Sequence, residues 1–262
     1  MRTISSLATF FVCITVSAQD LTIISKVTRD GGPPDTAISY ISTDRLRISQ
    51  PDGNEALFDL KTGDMTVINS KKKTYYVVTK KDMDDLAATM KEHMNSPEMK
   101  KAQEQMKNLP PDQQKRMEEM MGGMFKVDVQ KAGTSRTIAG YHCDNWTVSI
   151  GQFSKSEECV TTALKLPDQA WEGYKSYYDS MKSMMAAMGP MAKGMESMGE
   201  QMRKMKGLPL ATTSTTNIMG RKSVTTSEVT AINRGPIPAS AWAIPAGYTR
   251  VENPMMKTMK RR

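Results

Sequence analysis

"RLRISQPDGNEALFDLKTGDMTVINSKKKTYYVV", residues 45–78, decides how the chain is read. It holds four short runs rich in β-branched and aromatic residues: RLRIS, EALFDL, MTVIN and TYYVV. Between them stand QPDGN, KTGD and SKKK, each with the Gly, Asp, Asn or Ser chemistry of a tight turn. Spacing this short and regular predicts an antiparallel meander and leaves no room for βαβ crossovers. Within RLRIS, Leu46 and Ile48 alternate with Arg45 and Arg47. One face of the sheet is therefore expected to be buried and the other wet.

Outward toward the N-terminus the pattern continues. LTIISKVTR (21–29) and TAISYIS (36–42) are further strand candidates, separated by DGGPPD and followed by STD. Before them, MRTISSLATFFVCITVSA has Arg2, an apolar run from Leu7 to Val16, and Val16-Ser17-Ala18. That order predicts an export signal, residues 1–18, cut near Ala18. The run is too short to span a bilayer, which takes about 20 residues. Cys13 lacks the small residues of a lipid-attachment site. No later segment is apolar enough to span a membrane. The remainder, 19–262, is expected to be one exported domain, periplasmic or extracellular.

Outward toward the C-terminus the period changes at Lys80. Met83, Leu86, Ala87, Met90 and Met94 fall at helical spacing, with Asp82 a candidate N-cap. Ser96-Pro97 restarts a helix carrying Met99, Ala102, Met106 and Leu109, and a third piece ends at Gly122-Gly123. Strands are then expected in MFKVDVQ, SRTIAG, CDNWTVSIG and CVTTALKL. A second helical block, about 168–206, precedes the strand candidates LATTSTTNIM, SVTTSEVTAIN and AWAIP. The chain thus reads as a sheet interrupted by helical blocks at about 80–123 and 168–206. A basic tail, 254–262, is expected to be solvated.

Export gives the cysteines a meaning. Cleavage removes Cys13 and leaves Cys143 and Cys159, which in an oxidising compartment are expected to pair across adjacent strands. The formal charge is +8, and Arg2 is the only charged residue of the leader, so the mature chain carries about +7. No aromatic stacking platform accompanies that charge, and nucleic acid is not an expected partner. Asn145-Trp146-Thr147 matches a glycosylation acceptor, a triplet common by chance.

Methionine is the compositional anomaly: 24 residues, against 6% aromatics. Flexible thioethers take over apolar work usually done by Leu, Ile and Phe. Met181, Met184, Met188, Met191, Met195, Met198, Met202 and Met205 alternate by three and four, and Tyr177 and Tyr174 extend the seam backward. Charges recur on the opposite face, so the segment is amphipathic and not transmembrane. Gly189, Pro190, Gly194 and Gly199 loosen it and kink it.

Three readings of the methionines stand. They pack as core. They line a lipophilic site, with Met90, Met94, Met106, Tyr177, Met181, Met184, Met188, Met191, Met195 and Met198 as the wall. Or they bind copper(I), with His93 beside Met90 and Met94. The seam is spread over about 36 Å of helix, which disfavours convergence on one ion. No motif calls for a cofactor, and no P-loop, nucleophile elbow or His-Glu-x-x-His is present. The expectation is a protein without enzymatic activity.

TIAGYHCDNWTV (137–148) resembles the Gly-Tyr-x-Cys-x-x-aromatic signature of a bacterial envelope family, domain of unknown function 4412, grouped with the outer-membrane lipoprotein carriers (LolA-like). By position Gly140, Tyr141, Cys143 and Trp146 match it. STDRLRIS, LFDLKTGDMTVINSKKKTYYVV, GLPLATTS, SEVTAIN and AWAIPAGY resemble further elements of the family, in order. The resemblance implies an α+β fold: a curved antiparallel half-barrel, lipoprotein-carrier-like, its concave face covered by the two Met-rich helical insertions. It implies a lipid or other lipophilic ligand, and no catalytic residues; beside it stands a structural or adaptor protein with no small ligand, whose sheet edge or basic tail meets an envelope protein partner.

Overall fold

The computed structural model describes residues 20–50, 52–110, 112–113, 126–164, 204–205, 207–218 and 220–259. Six strands come first: β1 (Leu21–Arg29), β2 (Asp35–Ile41), β3 (Arg45–Ser49), β4 (Asn54–Asp59), β5 (Met65–Asn69) and β6 (Thr74–Val78). Helices α1 (Lys80–Met94) and α2 (Pro97–Lys107) follow. The sheet resumes with β7 (Val127–Ile138), β8 (Tyr141–Ile150), β9 (Ser154–Thr161), β10 (Leu208–Ile218) and β11 (Arg221–Arg234). A 3-10 turn, Ala239–Trp242, leads to β12 (Thr249–Arg250) and helix α3 (Pro254–Met259).

Among the described residues all twelve strands form one curved, unclosed sheet, in the order β12-β6-β5-β4-β3-β2-β1-β11-β10-β9-β8-β7. Every pairing is antiparallel except β12 on β6. The meander read from residues 45–78 is present, each strand within a residue or so of its expected bounds. Turn chemistry explains the joints. The β7–β8 hairpin closes through Ala139 (φ 49) and Gly140 (φ 82), two consecutive positive-φ residues with Ile138 paired to Tyr141. That is the two-residue turn whose twist matches the strands, and Gly at its second position avoids Cβ strain. Gly207, before β10, has a different reason: a Cβ there would run into the Thr161 carbonyl.

SRTIAG is not a strand of its own. Its first four residues are the end of β7, set off by a register shift between Lys131 and Ser135, and Ala139-Gly140 are the turn. AWAIP is not β: Ala239–Trp242 is a 3-10 turn, entered from Pro238. The tail is not wholly solvated either, since 254–259 form α3, which packs on α1. Helix α1 starts three residues earlier than expected. Thr79 is the N-cap, and Asp82 is the third helical residue of a capping box. The Asp82 N–H donates to Thr79 Oγ1 (3.1 Å) and the Thr79 N–H donates to Asp82 Oδ2 (2.8 Å), satisfying two donors a helix start leaves free. Ser96 caps α2 as expected, accepting from the Met99 N–H at 3.3 Å.

The main core gathers Leu21, Ile23, Ile41, Ile138, Leu164, Leu210, Val229 and the Cys143–Cys159 disulfide. The cysteines sit diagonally across β8 and β9, since Asn145 pairs with Cys159, and their Cα atoms are 5.3 Å apart. A second cluster of Val127, Val129 and Val148 is packed by Trp146, Ile150 and Met205.

Candidate functional site

Directly paired residues in a sheet project to the same face. One row runs Leu21, Ile41, Leu46, Phe58, Met65, Val78 across β1 to β6. The next runs Ile23, Ser39, Ile48, Ala56, Val67, Tyr76. These two ribs make an apolar wall six strands wide. Its ends are buried: Leu21, Ile23, Ile41 and Val78 are each under 9% exposed. Its middle, Leu46, Ile48, Phe58, Met65, Val67 and Tyr76, is only half-buried.

The opposite face of these strands is wet only in part. Arg47, expected to point to water, is 7% exposed. Its Nε and Nη2 reach Glu55 at 2.8 and 2.7 Å. Its Nη1 donates to the carbonyls of Ala241 (2.6 Å) and Ala243 (3.0 Å). The Arg45 guanidinium lies 5.1 Å over the Trp242 ring, and Trp242 meets Tyr40 edge-on with centroids 6.2 Å apart. Ile68, paired with Glu55 and therefore on this face, is fully buried. Residues 235–251 thus form a strap from the end of β11 across β2 and β3. The strap ends as β12 on the free edge of β6, where the Thr249 and Val251 N–H groups donate to Lys73 and Tyr75. Alternation separated the two faces correctly; on the face expected to be wet, Arg45 is exposed and Arg47 is buried.

An open cleft of about 620 Å³ borders the strap, lined by Asp20, Ser42, Asp44, Arg45, Lys61 and Trp242 among others. Its charges answer one another. Lys61 donates to Asp44 at 3.1 Å and Ser42 donates to it at 3.0 Å, and these bonds hold the Asp44 carboxyl below the usual range.

The methionines read as ligand wall are placed only in part. Met83, Met90 and Met94 are half-buried on α1 around the buried Leu86, so the helical stripe faces inward there. His93 is exposed, while Met90 and Met94 are not, so the copper trio does not share one environment. Met106 belongs to α2, but its side chain lies outside the described residues. Tyr177, Met181, Met184, Met188, Met191, Met195 and Met198 also lie outside them, as do the leader and most of both helical blocks beyond residue 113. Whether helices cover the ribs therefore concerns residues that are not described. Among the described residues no cluster of three His, Cys, Asp or Glu could hold a metal, and no helix is long and apolar enough to cross a membrane.

The signature residues have structural roles. Gly140 makes the turn, Cys143 the disulfide, Trp146 the lid of the valine cluster. Tyr141 packs on the main core, and Arg234 donates to its hydroxyl at 3.4 Å. The ribs themselves were not singled out from sequence. The signal was there: each meander strand alternates, and tight turns fix the register that aligns the alternations.

The model of the family described as "Domain of unknown function (DUF4412)" matches residues 88–248. No curated protein matches the chain. Among solved structures, PNGF-II is similar at 12% identity and TM-score 0.42, over 92% of this chain and 32% of that one. The MucA/MucB complex structure from Pseudomonas aeruginosa matches at 14% identity and TM-score 0.38, over 88% of this chain and 56% of that one. A LolA superfamily protein from Nitrosomonas europaea matches at 7% identity and TM-score 0.22, over 86% and 89%. The chain spans about a third of the first of these and just over half of the second.

Proposed function

The chain belongs to the DUF4412 family, and from that premise we propose that it is an exported, non-enzymatic envelope protein that holds a lipophilic molecule against its ribbed sheet face. The observation that carries this reading is the row Leu46, Phe58, Met65, flanked by buried Leu21, Ile41 and Val78. Six apolar residues in register across six strands exceed what a solvated face contains, and the middle three are half-buried. Removing such surface from water contributes about 25 cal/mol per Å², or about 0.8 kcal/mol for each methylene of a ligand chain. Export is supported by the leader and by a disulfide that reducing compartments disfavour. The absence of catalysis is part of the proposal. Both Cys143 and Cys159 are held in the disulfide, so neither offers a thiolate nucleophile.

Native mass spectrometry of the mature chain, purified without detergent from an exporting host, tests this. The expected spectrum shows a lipid-sized adduct that Leu46→Lys removes, because an ammonium in the middle of the rib loses its hydration against any acyl chain. A bare mass in the unmutated chain sinks the reading. A copper adduct, or a copurified polypeptide, replaces it.

A further inference from the structure

The same face continues past β1, and there its chemistry changes. Val27 shares the Leu21 and Ile23 side of β1 and pairs with Ser227. Ser227 pairs with Thr212, Thr212 with Glu158, and Glu158 with Trp146. One register row therefore places a carboxyl on the ribbed face between a hydroxyl and an indole, with cross-strand Cβ atoms about 5 Å apart. The adjoining row, Thr225, Ser214, Ser156 and Val148, adds hydroxyls, with Ser156 Oγ donating to Ser214 Oγ at 3.2 Å.

Glu158 is half-buried and has no hydrogen-bond or ion-pair partner among the described residues. Burial pushes its carboxyl up from the ordinary glutamate range. The charged and titratable groups nearest on this face are Lys131, paired opposite Trp146, and Asp144 and His142 on β8. Lys131 is already committed to Asp144 at 2.8 Å, and His142 lies 4.0 Å from the same carboxylate. On β10 the neighbours are hydroxyls. No cation described in the chain answers Glu158.

We propose that Glu158, with Trp146 and Thr212, is the head-group subsite of the lipophilic site and selects amphiphiles that carry an ammonium group. A carboxylate supplies charge and acceptor oxygens, an indole face attracts a cation, and a threonine hydroxyl accepts the remaining N–H. Three inter-strand steps of about 4.8 Å lead from Glu158 to Val27, where the apolar surface resumes toward Ile23 and the ribs. This inference rests on the lipophilic reading and adds the polarity of the ligand. It also runs against the net charge: a chain of about +7 attracts anions non-specifically.

Calorimetric titration of the mature chain with decylammonium, decyl sulfonate and 1-decanol, each below its aggregation limit, tests it. Decylammonium should bind about tenfold tighter than decanol, the effect of one charge-assisted contact. Glu158→Gln should erase that margin and leave decanol unchanged. Glu157→Gln, on the same strand and the opposite, exposed face, should change none of the three. If Glu158→Gln fails to fold, acidification of the unmutated chain serves instead: protonating Glu158 should lower decylammonium to the decanol level. Equal binding of decylammonium and decanol overturns the subsite and leaves the lipophilic reading intact. Failure of all three probes to bind overturns both.

Discussion

The sheet has two halves that solve one problem differently. Strands β3 to β6 are five or six residues long and present one apolar face to the ribs. Their other face is dried by a strap contributed from about 190 residues later in the chain, pinned by Arg47. Strands β7, β8, β10 and β11 are ten to fourteen residues long, and their far face is left largely to solvent, with Glu157, Thr213, Thr226 and Glu228 exposed. That half is fixed by a disulfide spanning 16 residues. A long-range polar clamp holds short strands; a short-range covalent clamp holds long ones. What both halves keep in common is the ribbed face, continuous through β1, and this continuity is why function is sought there.

The clamp on the short strands should show the largest effect. Arg47→Ala strands a partly buried Glu55 carboxylate and two carbonyls of the strap without donors. Removing one partner of a buried pair costs about 3–5 kcal/mol. Urea unfolding should register that loss, and limited proteolysis should cut within residues 235–251. Arg45→Ala, which loses an exposed cation–π contact with Trp242 and an exposed 3.5 Å ion pair with Asp44, should cost about 1 kcal/mol or less. Near-equal losses for the two arginines would mean that β12 and Trp242 hold the strap unaided.

Next in size is the covalent clamp. The double variant Cys143→Ala/Cys159→Ala should lose about 3 kcal/mol, the chain-entropy value for a loop near this length. Because the two clamps share no partners, combining it with Arg47→Ala should give additive losses to within about 0.5 kcal/mol. A coupling above that would break the division into halves and make the sheet one cooperative unit.

Much of this was legible in the sequence. Turn residues such as Gly53, Gly63 and Gly140 fix where strands end, and β-branched runs fix where they lie. The disulfide followed from counting the cysteines beyond the expected leader. What failed to read was whatever depends on a distant segment. Arg47 looked wet because arginine usually is, and nothing near residue 47 announces carbonyls at 241 and 243. AWAIP looked like a strand because Trp and Ile favour strands, yet it serves as the cover that Arg47 needs. Thr79 was overlooked as a cap because Asp82 is also a good one, and only the reciprocal hydrogen bonds separate them. Glu158 went unnoticed for a subtler reason. A lone glutamate in a β-strand carries no motif, so its burial shows only once the strands are paired.

The smallest effect tests that last point directly. Glu158 has its carboxyl pKa raised by burial, so its charged form is less favourable in the folded chain than in the unfolded one. The sign follows from linkage. Above the folded-state pKa the charge opposes folding in full. As pH falls through that value the folded chain takes up a proton first and the penalty is relieved. Below the unfolded glutamate value, about 4.3, it is gone. Glu158→Gln should therefore melt slightly higher than the unmutated chain at neutral pH, and the two should converge on acidification. Asp44 behaves in the opposite sense, its carboxyl being held low by Lys61 and Ser42, so Asp44→Asn should lose stability at neutral pH and converge from below. Melting curves of the two variants across this range separate a carboxylate that serves the fold from one that the fold tolerates. A Glu158→Gln variant less stable than the unmutated chain at neutral pH would mean that the carboxylate already has an intramolecular partner, and would leave no vacancy for an ammonium ligand.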